Sequence, residues 1–213
     1  MYALVESGTI TKYFNNPRGF MLGDVQYSSD IFMKWSVEEK KAIGIHQVVF
    51  DDSNKKDETW YINTNQSFAF ANDTVTASYG SATAKAHANT LFTAQDEIDG
   101  KGTEGEVATR GLKHNLIKDL KQQVAGILAN TDWYITRKTE KSTAIPSAIS
   151  THRDAVRTKQ ASMETAITDA ADTAALETLY TYTLIENFDS LSGEQITDGV
   201  QSRPLGELPV LES

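Results

Sequence analysis

The chain has 213 residues, 39% of them hydrophobic and 23% charged, which is typical of a soluble globular protein. Its formal net charge of -9 argues against direct nucleic-acid binding, because phosphate recognition needs clustered Lys and Arg that carboxylates do not offset. The absence of cysteine excludes disulfides and thiolate metal sites.

The first ten residues hold no basic region followed by an apolar run, and no stretch of about 18 consecutive apolar residues occurs in the chain. The sequence therefore predicts neither export by a signal peptide nor insertion in a membrane.

Residues 1–86 predict a small β-rich domain. Two β-prone runs about Ser7 and Gly8 predict a first hairpin over residues 2–14. The Ser36-Val37-Glu38-Glu39 sequence matches a capping box and predicts a short helix that ends before Gly44. Further short strands are predicted at residues 45–50, 60–62, 67–71 and 74–79.

Residues 87–107 are rich in acidic residues and glycine. Three glycines loosen the backbone, and carboxylates outnumber the single Lys101. This composition predicts an acidic interdomain linker. The acidic residues are Asp96, Glu97, Asp99, Glu104 and Glu106.

Residues 108–182 predict a helical hairpin. Two apolar stripes at helical spacing can bury each other if the helices lie antiparallel across a connection of about 15 residues. In that connection, Trp133 is expected to fill the hairpin end, and Asp132 to cap backbone amides or hold Arg137 or Arg153. The stripes are Leu112, Leu116, Leu120, Val124, Ile127 and Leu128, and Ile149, Val156, Met163, Ile167 and Ala170.

Residues 183–213 have few regular periods but many spaced apolar residues, among them Phe188, Leu191, Leu205 and Leu208. A flexible linker is poorer in such residues. About 30 extended residues span roughly 100 Å, so the hypothesis is an arm that becomes ordered on a neighbouring subunit. The predicted class is α+β, with a β-rich N-terminal domain, an antiparallel helical hairpin and an extended C-terminal arm.

No catalytic, cofactor-binding or metal-binding residue is predicted. The four histidines are far apart in the sequence; His114 and His152 could face each other across the hairpin, but two further zinc ligands are missing. No Gly-x-Ser-x-Gly motif occurs. On the second helix, Arg153, Arg157 and Lys159 either form a basic strip for an acidic partner or are ordinary solvated charges, the simpler interpretation.

Around the helical connection the sequence resembles a segment of bacteriophage tail proteins and tail-fibre assembly proteins, L-x-x-T-D-W … P … Y-R-x-x-x-R. His152 stands where those families usually have Tyr or Trp. The matching residues are Ile127–Tyr134, Arg137-Lys138, Ile145-Pro146, His152-Arg153 and Arg157.

The N-terminal part is similar to uncharacterised proteins of tailed phages of marine bacteria, so the resemblance covers about residues 1–182. The similar segments are Trp35–Glu39, Ala42–Ile45, Tyr61–Phe68 and Val75–Gly80.

The resemblance implies a structural protein of the virion tail, at the baseplate or a fibre attachment, present in multiple copies and assembled in the host bacterial cytoplasm. Its partners would be other tail, baseplate or fibre proteins. A tail-fibre assembly chaperone is the alternative. An envelope-degrading hydrolase is a third hypothesis, and it needs a cleft with paired carboxylates or an activated nucleophile. The candidate interaction residues are Asp132, Trp133, Arg153 and Arg157 in the resembling segment and Phe188, Leu191, Leu205 and Leu208 in the arm.

Overall fold

The computed structural model describes residues 1–184 and 201–211. The chain forms two compact units, Met1–Thr83 and Ala84–Ser213. The first is rich in β-strands and the second holds the long helices, so the predicted α+β class is confirmed. The boundary lies close to the predicted end of the β-rich domain at residue 86.

The first unit is built from short strands and two short helices. In chain order it contains β1 (Tyr2–Glu6), β2 (Thr9–Phe14), β3 (Phe20–Leu22), β4 (Val25–Tyr27), α1 (Ile31–Lys34), α2 (Val37–Ala42), β5 (Ile45–Asp51), β6 (Tyr61–Ile62), β7 (Ser67–Ala71) and β8 (Thr74–Ser78), and β9 (Thr83–Ala84) begins at its last residue.

Five strands form the main sheet in the order β2-β1-β5-β8-β7. The pairs are antiparallel except β5 and β8, which run parallel. The ring centroids of Tyr13 on β2 and Phe68 on β7 lie 4.8 Å apart. Because these two strands are at opposite ends of the sheet order, the sheet is curled.

Local sequence signals in this unit are confirmed. Ser7 and Gly8 have φ of 50° and 78°, as a tight hairpin turn between β1 and β2 requires. At the start of α2, the Ser36 hydroxyl accepts the Glu39 amide at 3.1 Å, and the Glu39 carboxylate accepts the Ser36 amide at 2.7 Å. This reciprocal pair is the predicted capping box.

Side chains on both faces of the sheet are buried, because successive residues of a strand point to opposite faces. Leu4 belongs to an aromatic-rich cluster, whereas Ala3 belongs to a smaller cluster against which the half-buried Phe68 and Phe70 pack. The first cluster comprises Leu4, Phe14, Phe20, Ile31, Phe32 and Ile45, and the second Ala3, Val48, Val75 and Ala77.

The second unit begins with small elements and continues with helices. It contains β10 (Thr90–Leu91), α3 (Ala94–Ile98), β11 (Val107–Thr109), α4 (Leu112–Ala129), α5 (Asp132–Lys141), α6 (Ser147–Asp169), α7 (Thr173–Tyr180), β12 (Thr183–Leu184) and β13 (Gln201–Ser202). Within the described residues, every helix is too short or too polar to span a lipid bilayer.

The predicted linker, residues 87–107, instead belongs to the second unit and carries β10, α3 and β11. Thr93 and Asp96 form a capping box that starts α3. The glycines that favour a linker serve turns here, since Gly100 and Gly105 have φ of 70° and 82°. Short local hydrogen bonds, rather than a hydrophobic pattern, order this segment.

Helices α4 and α6 pack with their predicted stripes facing inward. All five stripe residues predicted for the second helix are buried, the last of them, Ala170, at the C-cap of α6, as are Leu120 and Val124 of α4. The Lys113 ammonium donates to the Thr168 carbonyl at 2.7 Å, and the Arg153 guanidinium donates to the Leu128 carbonyl at 2.8 Å. The start of α4 therefore lies near the end of α6, and the two helices run in opposite directions.

The connection between them is not the packed loop that the sequence predicts, because residues Asp132–Lys141 form α5. Its first turn holds Asp132 and its last turn Lys138 and Lys141, the charge order that the helix dipole favours. Ser142, in the left-handed conformation with φ 54°, ends it.

The described part of the C-terminal segment corrects the expectation of an extended arm. β12 pairs with β13 in antiparallel fashion, and the Leu205 amide donates to the Leu179 carbonyl at 3.1 Å. Leu205 is buried against the helices of its own unit. Residues 201–208 therefore pack against their own unit, whereas Phe188 and Leu191 lie outside the described residues.

Candidate functional site

The junction of α4 and α5 is held by one side chain from α6. Arg153 is buried, and its NH1 nitrogen donates to the Leu128 carbonyl at 2.8 Å and to the Thr131 hydroxyl at 2.7 Å. Its NH2 nitrogen lies 2.9 Å from the Asp132 carboxylate. The Thr131 hydroxyl donates in turn to Leu128 at 3.0 Å. Of the two partners predicted for Asp132, the structure brings it to Arg153.

Helix α5 itself contributes nothing to the core, since none of its ten residues is buried. The Trp133 side chain is 51% exposed and Ile135 is 39% exposed. The expectation that the indole fills the hairpin end is therefore wrong. The reason is that Arg153 and Thr131 occupy the junction, and helical geometry turns Trp133, the residue after Asp132, about 100° away from it.

The exposed indole belongs to an aromatic and cationic cluster. The rings of Trp133 and Tyr134 lie 3.9 Å apart between centroids. The Arg137 guanidinium carbon is 4.6 Å from the Trp133 ring and 5.4 Å from the Tyr134 ring. Such contacts between a guanidinium and aromatic faces are attractive and hold the three side chains together. We call Trp133, Tyr134, Arg137, Lys138 and Lys141 the α5 face, because these residues lie within about 140° of one another around the helix.

The α5 face is positively charged within an acidic chain. Arg137, Lys138 and Lys141 outnumber Glu140, and Asp132 is already paired with Arg153. The Arg137 Nε is buried, yet it has no hydrogen-bond partner among the described residues. Trp, Tyr and Arg are the residues enriched where protein partners bind most strongly. The α5 face therefore combines these three residue types on one exposed helix.

The basic strip considered for α6 does not form. Arg153 is buried and used internally, and Lys159 is half-buried beside Gly206. Only Arg157 is clearly solvent-exposed, at 51% of its side chain, and it pairs with Asp154 at 3.4 Å. Because Arg153 is buried, the three cations that are neighbours in the sequence do not form one exposed strip.

The C-terminal segment uses its apolar residues against its own unit. Leu205 lines a cavity of about 130 Å³ with Leu120 and Met163. Leu208 is half-buried and lines a neighbouring cavity of about 440 Å³, which Ile127 and Met163 also border. The two candidate residues Leu205 and Leu208 are therefore wholly or partly buried by contacts within their own chain.

Polar contacts fasten the same segment. The Tyr182 hydroxyl donates to Glu207 at 2.5 Å, and this hydrogen bond is the main reason that the pKa of Tyr182 is raised. The Arg203 Nε lies 2.9 Å from the Glu207 carboxylate, and its guanidinium carbon is 5.4 Å from the Tyr180 ring. Burial raises the pKa of Tyr180.

The histidines do not assemble into a metal site. His114 lies in the first turn of α4 and His152 in the second turn of α6, so in two antiparallel helices they are at opposite ends. In residues 1–184 and 201–211, no group of three or more His, Asp or Glu could hold a metal ion. His114 and His152 therefore do not face each other across the helical pair, contrary to the possibility that the sequence raised.

Sequence reasoning missed the α5 face because it treated residues 130–145 as a loop. One signal was available: Trp133 and Arg137 are four residues apart and Tyr134 and Arg137 three apart, which places them together on a helix. Comparison with protein-family models, with curated proteins and with solved structures gives no match.

Proposed function

We propose that the chain is a structural component of a bacteriophage tail, bound through its α5 face to other tail, baseplate or fibre proteins. The observation that carries the proposal is the half-exposed Trp133 within the segment that resembles phage tail proteins. A large aromatic side chain left outside its own core is suited to fill a pocket on another protein.

Two features of the same segment support this proposal. Asp132 and Arg153 fix the start of α5 through a buried guanidinium, so the helix is oriented before any partner binds. Trp133 and Arg137 then present a pre-organised aromatic and cationic surface. Pre-organisation reduces the entropy lost on association, which favours tight binding.

The folded position of residues 201–208 changes the predicted mode of assembly. Because Leu205 is buried against the helices of its own unit, these residues are not the extended arm that the sequence suggests. We therefore assign the partner contact to the α5 face rather than to Leu205 and Leu208.

Quantitative mass spectrometry of purified particles of the encoding phage tests the proposal. We expect multiple copies per particle. Less than one copy per particle contradicts the structural role and supports the alternative, an assembly chaperone that leaves the finished tail.

Site-specific photo-crosslinking in the same particles tests the contact surface. A photoreactive amino acid in place of Trp133 should give crosslinks to another tail protein. The matched control places it at Met33, which is 80% exposed in the first unit, and should give fewer crosslinks. Equal yields at both positions contradict the role of the α5 face.

A further inference from the structure

We infer that the α5 face binds the acidic turn of a second copy of this chain, so that copies join head to tail. The acidic turn is defined as residues 94–106, which contain α3 and the loop that follows it. This inference concerns the same α5 face as the proposed function and takes a second copy of the chain as its occupant. Self-association is measured on the purified chain without phage particles, so the inference and the proposed function can fail separately.

The two surfaces match in charge. The α5 face carries Arg137, Lys138 and Lys141 against the single acid Glu140. The acidic turn carries five carboxylates and one lysine, Lys101. Opposite surface charges steer association and fix its register.

Not all carboxylates of the acidic turn are available to a partner. Lys101 lies 3.0 Å from both Asp96 and Asp99, and Asp96 also accepts hydrogen bonds from Thr93. Glu97, Glu104 and Glu106 are exposed. The turn therefore keeps an acidic surplus after its internal ion pairs are formed.

Each surface also has an apolar centre. Ile98 of the acidic turn is 78% exposed, with Glu97 and Asp99 beside it in the sequence. On the other surface, the exposed Trp133 ring lies against the Tyr134 ring, with Arg137 beside both. An apolar centre with a charged rim is the usual anatomy of a specific protein interface. The Arg137 guanidinium, held against two rings, is suited to pair with a carboxylate such as that of Glu104 or Glu106.

The helical unit attaches the two surfaces at opposite ends of α4. The acidic turn is followed by β11, which leads directly into the start of α4, whereas α5 follows the end of α4. Helix α4 has 18 residues, so its ends are about 27 Å apart. The two surfaces of one chain are thus attached at opposite ends of a rigid helix, and contact between different surfaces produces a head-to-tail arrangement that closes into a ring or continues as a filament.

Sedimentation velocity of the purified full-length chain tests the inference. We expect the average mass to rise between about 1 µM and about 100 µM protein, and to fall when salt is raised from about 50 mM to about 500 mM, because salt screens the charged rim. A chain that stays monomeric throughout this range overturns the inference.

Two paired variants assign the surfaces. The face variant combines Trp133→Ser with Lys138→Ser, and the turn variant combines Ile98→Ser with Glu104→Gln. Each should weaken self-association at least about tenfold, because interface energy is concentrated in a few central residues. Met33→Ser, a similar change at an 80% exposed site, should self-associate like the unchanged chain. Far-UV circular dichroism shows that each variant is folded.

Mixing the two variants distinguishes head-to-tail contact from any symmetric contact. The face variant keeps its acidic turn and the turn variant keeps its α5 face, so an equimolar mixture should form one-to-one heterodimers and nothing larger. A mixture that stays monomeric, a mixture that grows beyond dimers, or either variant assembling like the unchanged chain overturns the inference.

Discussion

The Arg153 guanidinium lies 2.9 Å from the Asp132 carboxylate and thereby ties α6 to the first residue of α5. The same guanidinium binds Leu128 and Thr131 at the end of α4. One buried side chain therefore sets the angle at which the chain leaves α4 and determines where the exposed indole of Trp133 is presented.

Replacing Arg153 by Ala should lower the free energy of unfolding of the helical unit by about 2–4 kcal/mol, because it leaves buried acceptors without their donor and opens space in the junction. Urea denaturation followed by far-UV circular dichroism measures the change. The matched control is Arg157→Ala, whose side chain is 51% exposed, and it should change stability by less than about 0.5 kcal/mol. Equal losses in the two variants contradict the role of Arg153.

Replacing Trp133 by Ala should change the free energy of unfolding by less than about 1 kcal/mol, because a half-exposed ring loses few core contacts. The comparison variant is Leu176→Ala, at a side chain with 0% exposure, which should cost about 2–5 kcal/mol. Both are measured by the same urea denaturation. A loss near 3 kcal/mol for Trp133→Ala shows that the indole is part of the core after all.

Replacing Leu205 by Ala should loosen the C-terminal segment without unfolding the helices. Leu205 is 3% exposed, and its amide is bonded to Leu179. Hydrogen exchange of residues 201–206 should become about tenfold faster or more, since loss of about 2 kcal/mol of packing raises the open population by that order. Leu211→Ala, at a 40% exposed site, is the control. Unchanged exchange in the Leu205 variant contradicts the docked segment.

Replacing Gly44 by Ala should destabilise the first unit more than replacing Gly8 by Ala. Both glycines have positive φ, at 79° and 78°, so both variants carry a backbone cost of about 1 kcal/mol. Only at Gly44 does the added methyl carbon meet another atom, 2.5 Å from the Val5 carbonyl oxygen. The difference between the two unfolding free energies isolates the effect of this clash. A difference near zero shows that the Val5 backbone moves away from the added methyl group without loss of stability.

Lowering the pH towards 2 should release the capping box of α3. Hydrogen bonds from Thr93, assisted by Lys101, lower the pKa of Asp96 from 3.8 to about 2. Because the folded pKa lies below the ordinary value, the contribution of Asp96 is complete above about pH 4 and is lost as the pH falls towards 2. Carboxyl NMR shifts should titrate near pH 2 for Asp96 and at higher pH for Asp96 in a Thr93→Ala variant. The variant removes the Thr93 hydroxyl and keeps its backbone N–H, so identical titrations in both proteins contradict a contribution from the hydroxyl.

Patterns that act over a few residues could be predicted from the sequence. The hairpin about Ser7 and Gly8, the capping box at Ser36 and the buried stripe of α6 all follow from neighbours or from helical periodicity. Residues 87–107 and 132–141 could not be placed in the same way, since their order depends on polar contacts that leave little apolar pattern. Thr93 with Asp96, and Thr131 with Arg153, are the decisive cases.

The sequence by itself determined the α+β class and the apolar faces of α4 and α6, because burial of apolar side chains imposes a period that can be read along the chain. Only the tertiary structure decided that Arg153 is buried, that Trp133 is exposed and that Leu205 packs on its own helices. These outcomes depend on which groups distant in the chain compete for the same space, and local spacing does not encode that competition.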